Sequence, residues 1–154
     1  MKRVLFALLA LAACATPQSA SSPEATVQAI YAVTLKNGGV STPVEAIPMT
    51  DDLKSLVDRA EATARSRNEP FLDGDLAADC QDCASLTDLT IQSEAPVAGR
   101  ASVIARFKLN GNENRAVRYD MVETPRGWRV DNISSETSDL RRDARAYVAP
   151  LPAH

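Results

Sequence analysis

The feature that most constrains this chain is a change of period partway along it. Between residues 23 and 67 apolar side chains recur every three or four positions, whereas from residue 85 to residue 134 they alternate with polar ones. Helical repeats gathered first and strand repeats gathered after them exclude a βαβ architecture and define an α+β domain. Ser22 is a helix N-cap, with Pro23 at the first helical position and Glu24 in the first turn. Val27, Ile30, Tyr31, Thr34 and Leu35 then form a stripe, which Gly38-Gly39 should end. Thr50 caps a second helix, Asp51 and Asp52 suit its positive pole, and Leu53, Leu56, Val57, Ala60 and Ala64 mark its buried face. That helix should run to about Arg67, before Asn68 and Pro70 stop it.

Four alternating segments follow: SLTDLTIQSE, RASVIARFKLN, RAVRYDMVE and GWRVDNIS. The stretches between them, APVAG, NGNE and TPRG, are turn sequences, so the segments form an antiparallel meander. Ala101, Val103, Ala105, Phe107 and Leu109 share one face of their strand, and Val117, Tyr119 and Met121 share one face of the next. Facing odd positions with odd positions requires a loop of odd length. A turn at Asn110-Gly111-Asn112 pairs Val103 with Tyr119 and sets Arg106 opposite Ala116, whereas a five-residue loop would set Arg106 against Arg118. Like charges directly opposite are unfavourable, which selects the shorter turn. Thr124-Pro125-Arg126-Gly127 fits a type I turn, and Trp128 and Val130 extend the apolar face. Asp139 to Val148 completes the domain as a short C-terminal helix, and residues 150–154 form a tail. The expected fold is two N-terminal helices laid on a curved four-stranded meander, a single domain over residues 23–149.

The N-terminus carries a different kind of signal. Lys2 and Arg3 precede ten uninterrupted apolar residues, Val4 to Ala13, a run of signal-peptide length that is too short to span a bilayer. Leu11-Ala12-Ala13-Cys14 resembles the bacterial lipobox, in which the cysteine thiol accepts a diacylglyceryl group. That resemblance implies a signal peptide at residues 1–13, lipidation of Cys14, a linker to residue 22 and a periplasm-facing domain held by its acyl chains. Ala15, rather than Asp, leans toward the outer membrane. Removing residues 1–13 leaves 141 of the 154 residues and a charge balance of 15 Lys and Arg against 20 Asp and Glu. A nucleic-acid or anionic-membrane partner is disfavoured by that sign, so attachment must come from the acyl chains.

The order of two helices, an acidic loop with DCQDC, and then ASVIARFKL, AVRYDMVETPRGWRVDNI resembles a bacterial family of envelope domains, many of them on lipoproteins. It belongs to the nuclear-transport-factor-2-like, cystatin-like group of cone folds. The resemblance covers about Pro23 to Ser134, and Gln81-Asp82 with Trp128 to Ile133 carries most of it. It implies fold and compartment, and it brings no catalytic role.

Cys80 and Cys83 have the most chemical spacing in the chain. With Cys14 acylated they are the remaining pair, and an oxidising compartment favours a disulfide between them. A thioredoxin-like redox pair would sit at a helix start beside a βαβ unit, but these directly follow Asp79 and Asp82, whose charge raises a thiol pKa. Zinc needs further ligands, and the one histidine is His154. Asp73, Asp75, Asp79 and Asp82 form an acidic loop that is a candidate ligand or interaction surface. As a calcium loop counted from Asp73 it fails, since Ala78 and Ala84 stand where Gly and Glu are needed. Arg106, Arg118 and Arg129, alternating with Asp120 and Asp131, read as the wet face of the sheet. Tyr31, Tyr119 and a carboxylate are the conceivable elements of a proton-transfer site, and packing explains each equally well.

No nucleophile elbow, phosphate loop or hydride-cofactor fingerprint is present in the sequence, and no cofactor is expected. The expected function is a non-catalytic, lipid-tethered domain that binds or scaffolds another envelope component, a protein. The alternative is a small-ligand pocket or enzyme in the cone.

Overall fold

A computed structural model of the chain describes residues 22–36 and 40–150. The signal segment, Cys14, the linker up to residue 21, Gly38-Gly39 and residues 151–154 with His154 lie outside the described residues.

The first helix, α1, spans Pro23–Thr34, and the Ser22 hydroxyl accepts the Ala25 N–H at 3.1 Å. It stops at Thr34 rather than at the glycine pair, and Leu35 is its cap rather than part of the buried stripe, with 37% of its surface exposed. The cause is tertiary: the Thr34 hydroxyl donates to the Ile30 carbonyl at 3.0 Å and lies 2.7 Å from the Thr42 hydroxyl. That contact draws the returning chain against the helix end.

A 3-10 turn at Val44–Ala46 leads to α2, Asp51–Arg67, where Thr50 accepts the Leu53 N–H at 3.2 Å. Asn68 closes α2 in the left-handed region at φ 56°, a conformation asparagine tolerates at a helix end.

The sheet contains β1 (Leu86–Ser93), β2 (Arg100–Leu109), β3 (Glu113–Thr124) and β4 (Gly127–Ser134), paired antiparallel in chain order. The three-residue turn sets the expected register, with Val103 opposite Tyr119 and Arg106 opposite Ala116. Three features of the sheet were not expected. The β1 ladder is interrupted between Thr87 and Thr90, where Asp88 takes φ 54°. Asp131 is an extra residue in β4, because Asp120 pairs with Asn132 and Met121 with Val130. Pro48 to Thr50 then runs along the outer edge of β4: Thr50 N–H donates to the Val130 carbonyl and Val130 N–H to the Pro48 carbonyl, both at 2.9 Å.

The main core fills the space between α1, the start of α2 and the inner face of the sheet. Val27, Ile30 and Tyr31 from α1 meet Val103, Phe107, Tyr119, Met121, Trp128 and Val130 from the strands. The Asp131 bulge explains why β4 buries Trp128 and Val130 and then Ile133 instead of keeping strict alternation. The C-terminal helix α3, Leu140–Val148, is capped by the Asp139 carboxylate, which accepts the Arg142 N–H at 2.8 Å. It packs mainly on α2, where Leu56 and Ala60 bury Ala144. The α2 stripe is therefore shared between two partners, and only its first part faces the sheet.

The connections divide the domain into two ends. The Asn110-Gly111-Asn112 turn, the acidic loop and the chain leaving β4 lie at one end, joined by the Asn110 N–H to the Ser85 carbonyl at 3.0 Å. The β1–β2 hairpin, the Pro125-Arg126 turn and the start of α1 lie at the other.

Candidate functional site

The four aspartates of the loop do not converge on a common point. Asp75 is turned inward: one carboxylate oxygen accepts the Ala77 and Ala78 N–H groups at 2.8 and 2.9 Å and the Thr42 hydroxyl at 3.0 Å, and the other accepts the Thr42 N–H. Its own N–H donates to the Cys80 carbonyl at 2.7 Å, closing a tight loop. Gly74 is required there, because a Cβ on it would stand 2.8 Å from the Cys80 carbonyl oxygen. Asp79, at φ 51°, accepts the hydroxyls of Thr137 and Ser138 at 3.3 and 3.1 Å and so ties the loop to the chain leaving β4. Asp73 accepts the Gln81 side-chain amide, and Asp82 is exposed. Cys80 and Cys83 are disulfide-bonded, with Cα atoms 6.2 Å apart, and both pack against the main core. Among the described residues no three His, Cys, Asp or Glu side chains are grouped as a metal ion would need.

Between this loop and α3 lies a cleft of about 280 Å³. Leu72, Ile133 and Leu140 give it an apolar floor, Asp73, Asp79 and Asp143 stand on its walls, and no lysine or arginine lines it. Burial works against the Asp143 charge, but the Arg142 guanidinium and the Asp139 N–H outweigh it and hold the carboxyl below its ordinary value. The cleft is thus mixed in character, apolar below and anionic above.

Beneath the loop lie the two core tyrosines. The Tyr31 hydroxyl donates to the Ala77 carbonyl at 2.7 Å, and the Tyr119 hydroxyl donates to Tyr31 at 3.3 Å. Burial is the main reason both phenols are held above the ordinary tyrosine value, so both stay protonated. Tyr31 is 1% and Tyr119 0% exposed, and neither lines the cleft. Sequence reasoning named these two side chains, but what joins them to the loop is a main-chain carbonyl, which carries no sequence signal.

The polar residues of the strands form the outer face. Arg118 pairs with Asp120 at 2.9 Å, and Arg106 donates to Gln92 at 3.4 Å. The bulged Asp131 accepts Arg141 at 2.6 Å and the Thr50 hydroxyl at 3.0 Å, linking β4 to α3 and to the cap of α2. Arg129 is half-buried and donates to the Arg126 carbonyl at 3.1 Å, while its Nε has no partner among the described residues.

No family model, no curated protein and no solved structure matches this chain. Among the described residues no helix is long and apolar enough to cross a membrane.

Proposed function

We propose that the chain is a lipid-tethered domain of the bacterial cell envelope, anchored through Cys14 and facing the periplasm, that binds a protein partner of the same compartment. The lipobox-like Leu11-Ala12-Ala13-Cys14 supports the tether, and Ala15 favours the outer membrane. A resemblance to lipoprotein domains of the cone group supports the compartment. The observation that carries the binding reading is where the open space lies. Tyr31, Phe107, Tyr119, Met121 and Trp128 fill the region between helices and sheet, so a pocket inside the cone gains no support from the packing. The cleft at the rim, by contrast, offers an apolar floor under carboxylates. Such a surface suits a lysine or arginine side chain of a partner, whose apolar stem and cationic head match the two levels.

A photo-crosslinking residue in place of the exposed Asp82, in native envelopes, tests this. One discrete protein adduct that disappears when Asp73→Lys reverses the charge of the rim is the expected result. An adduct indifferent to that reversal, or none at all, would remove the acidic end as the binding surface. Cys14→Ser tests the tether separately: the variant should leave the membrane fraction, since a hydroxyl cannot form the thioether. Continued membrane association after salt extraction would refute lipidation.

A further inference from the structure

The β1–β2 hairpin ends in Ala95-Pro96-Val97-Ala98, four consecutive uncharged residues that are all exposed. Val97 is 74% exposed, far more than the other outward-facing large apolar side chains among the described residues, Val33 and Leu35. A lone exposed valine needs no explanation, but an unbroken exposed apolar run does. The tip is also well defined. Val97 and Arg100 exchange backbone hydrogen bonds at 2.9 and 3.0 Å, and the Gly99 carbonyl accepts the Glu123 N–H at 2.8 Å.

Its turn chemistry is unusual. Ala98 takes φ 50° and Gly99 φ 70°, so the turn needs two left-handed residues, where asparagine, aspartate or glycine are the usual choices. Alanine carries a steric penalty in that conformation. The tip keeps a small apolar residue where a polar one would fit the backbone better.

The tip also lies at a particular end of the domain. The far end of α1 is held at the acidic loop by Tyr31 and Thr34, so Pro23 starts the helix at the opposite end. β1 likewise runs away from the loop end, from Leu86 beside Ser85 to Ser93, and α1 packs on β1 and β2. The hairpin tip and the point where the linker enters therefore lie at the same end of the domain. From Ala15 to Ser22 the chain can span at most roughly 28 Å, while the ten residues of β2 carry the acidic loop about 33 Å away from the hairpin.

We propose that the hairpin tip Ala95–Ala98 is the face that this domain lays on the bilayer, so that the acidic loop and its cleft point away from the membrane. The placement rests on the tether proposed above. Glu94 and Arg100, both exposed, flank the apolar run and stay in the headgroup layer while Pro96 and Val97 enter the interface. So small a contact would not hold a free protein. The acyl anchor supplies the local concentration, and the tip supplies orientation.

The test uses the acylated full chain in phosphatidylcholine vesicles, with a nitrobenzoxadiazole probe on Val97→Cys or, at the other end, on the exposed Glu136→Cys. The disulfide and the acylated Cys14 leave each introduced thiol as the labelling site. The probe at 97 should be blue-shifted, quenched several-fold more strongly by spin-labelled lipid than the probe at 136, and shielded from iodide. Its shielding should vanish in the Cys14→Ser protein added to the same vesicles. Equal iodide access at 97 and 136 in a chain whose mass confirms acylation would overturn the orientation and leave the tether standing. A mass without acyl groups would overturn both. Shielding at 97 in native envelopes but not in vesicles would assign the tip to a protein partner and overturn the lipid placement.

Discussion

Tyr119 hands its hydroxyl hydrogen to Tyr31, which hands its own to the Ala77 carbonyl, so a side chain of the central strand β3 is coupled through α1 to the acidic loop. Both phenols are held above the ordinary value of about 10, chiefly by burial. Above that pH the unfolded chain releases these protons and the folded chain keeps them. Stability is therefore fully present below about pH 10 and falls as pH rises, by about 1.4 kcal/mol per pH unit for each tyrosine. Denaturant titrations between about pH 9 and 11.5 should show this decline, and Tyr119→Phe should make it shallower by one tyrosine's share. Equal slopes would mean that Tyr119 ionises freely in the native state.

Asp75 holds three backbone N–H groups, those of Thr42, Ala77 and Ala78. Ala77 and Ala78 are fully buried, so Asp75→Ala leaves donors with no access to water. The expected loss is about 3 kcal/mol, whereas Asp82→Ala, on an exposed residue, should stay within about 0.5 kcal/mol. Urea midpoints at unchanged m-value measure both, and equal effects would contradict the inward role of Asp75.

Trp128 is 7% exposed and closes the main core next to the β3–β4 turn. Trp128→Ala should cost about 3 to 5 kcal/mol, as for other large-to-small core changes. Native emission like that of free indole in water would contradict its burial.

The Cys80–Cys83 bond spans two intervening residues, and loop-closure entropy for so short a loop stabilises by about 2 kcal/mol or less. The Cys80→Ser, Cys83→Ser double variant should therefore fold, with a modest loss of melting temperature. Alkylation should label neither cysteine of the native protein until a reductant is added. Rapid alkylation without reductant, together with measurable thiol exchange, would point to a redox pair.

How much of this could be read in advance depended on the range of the forces involved. The Thr50 cap, the extent of α2 and the register across Asn110-Gly111-Asn112 follow from local chemistry and from parity, both written in consecutive residues. The early stop of α1 depends on Thr42, eight residues further on, and the strand-like run of Pro48 to Thr50 depends on Val130. Neither has a local signature. Asp131 and Asn132 are both polar, so the bulge left no mark in the alternation until Ile133 appeared one position late. Four similar aspartates likewise gave no sign that Asp75 faces inward while Asp82 stays outside.

The treatment of the sheet margins has a consequence for crowding. Pro48 to Thr50 occupies the edge of β4, and the left-handed Asp88, paired with Lys108 at 2.8 Å, interrupts the edge strand β1. Strand addition needs an unbroken row of free backbone groups, and the interruption with its charged pair works against that row. Copies packed side by side would thus meet through side chains rather than zip into continuous ribbons.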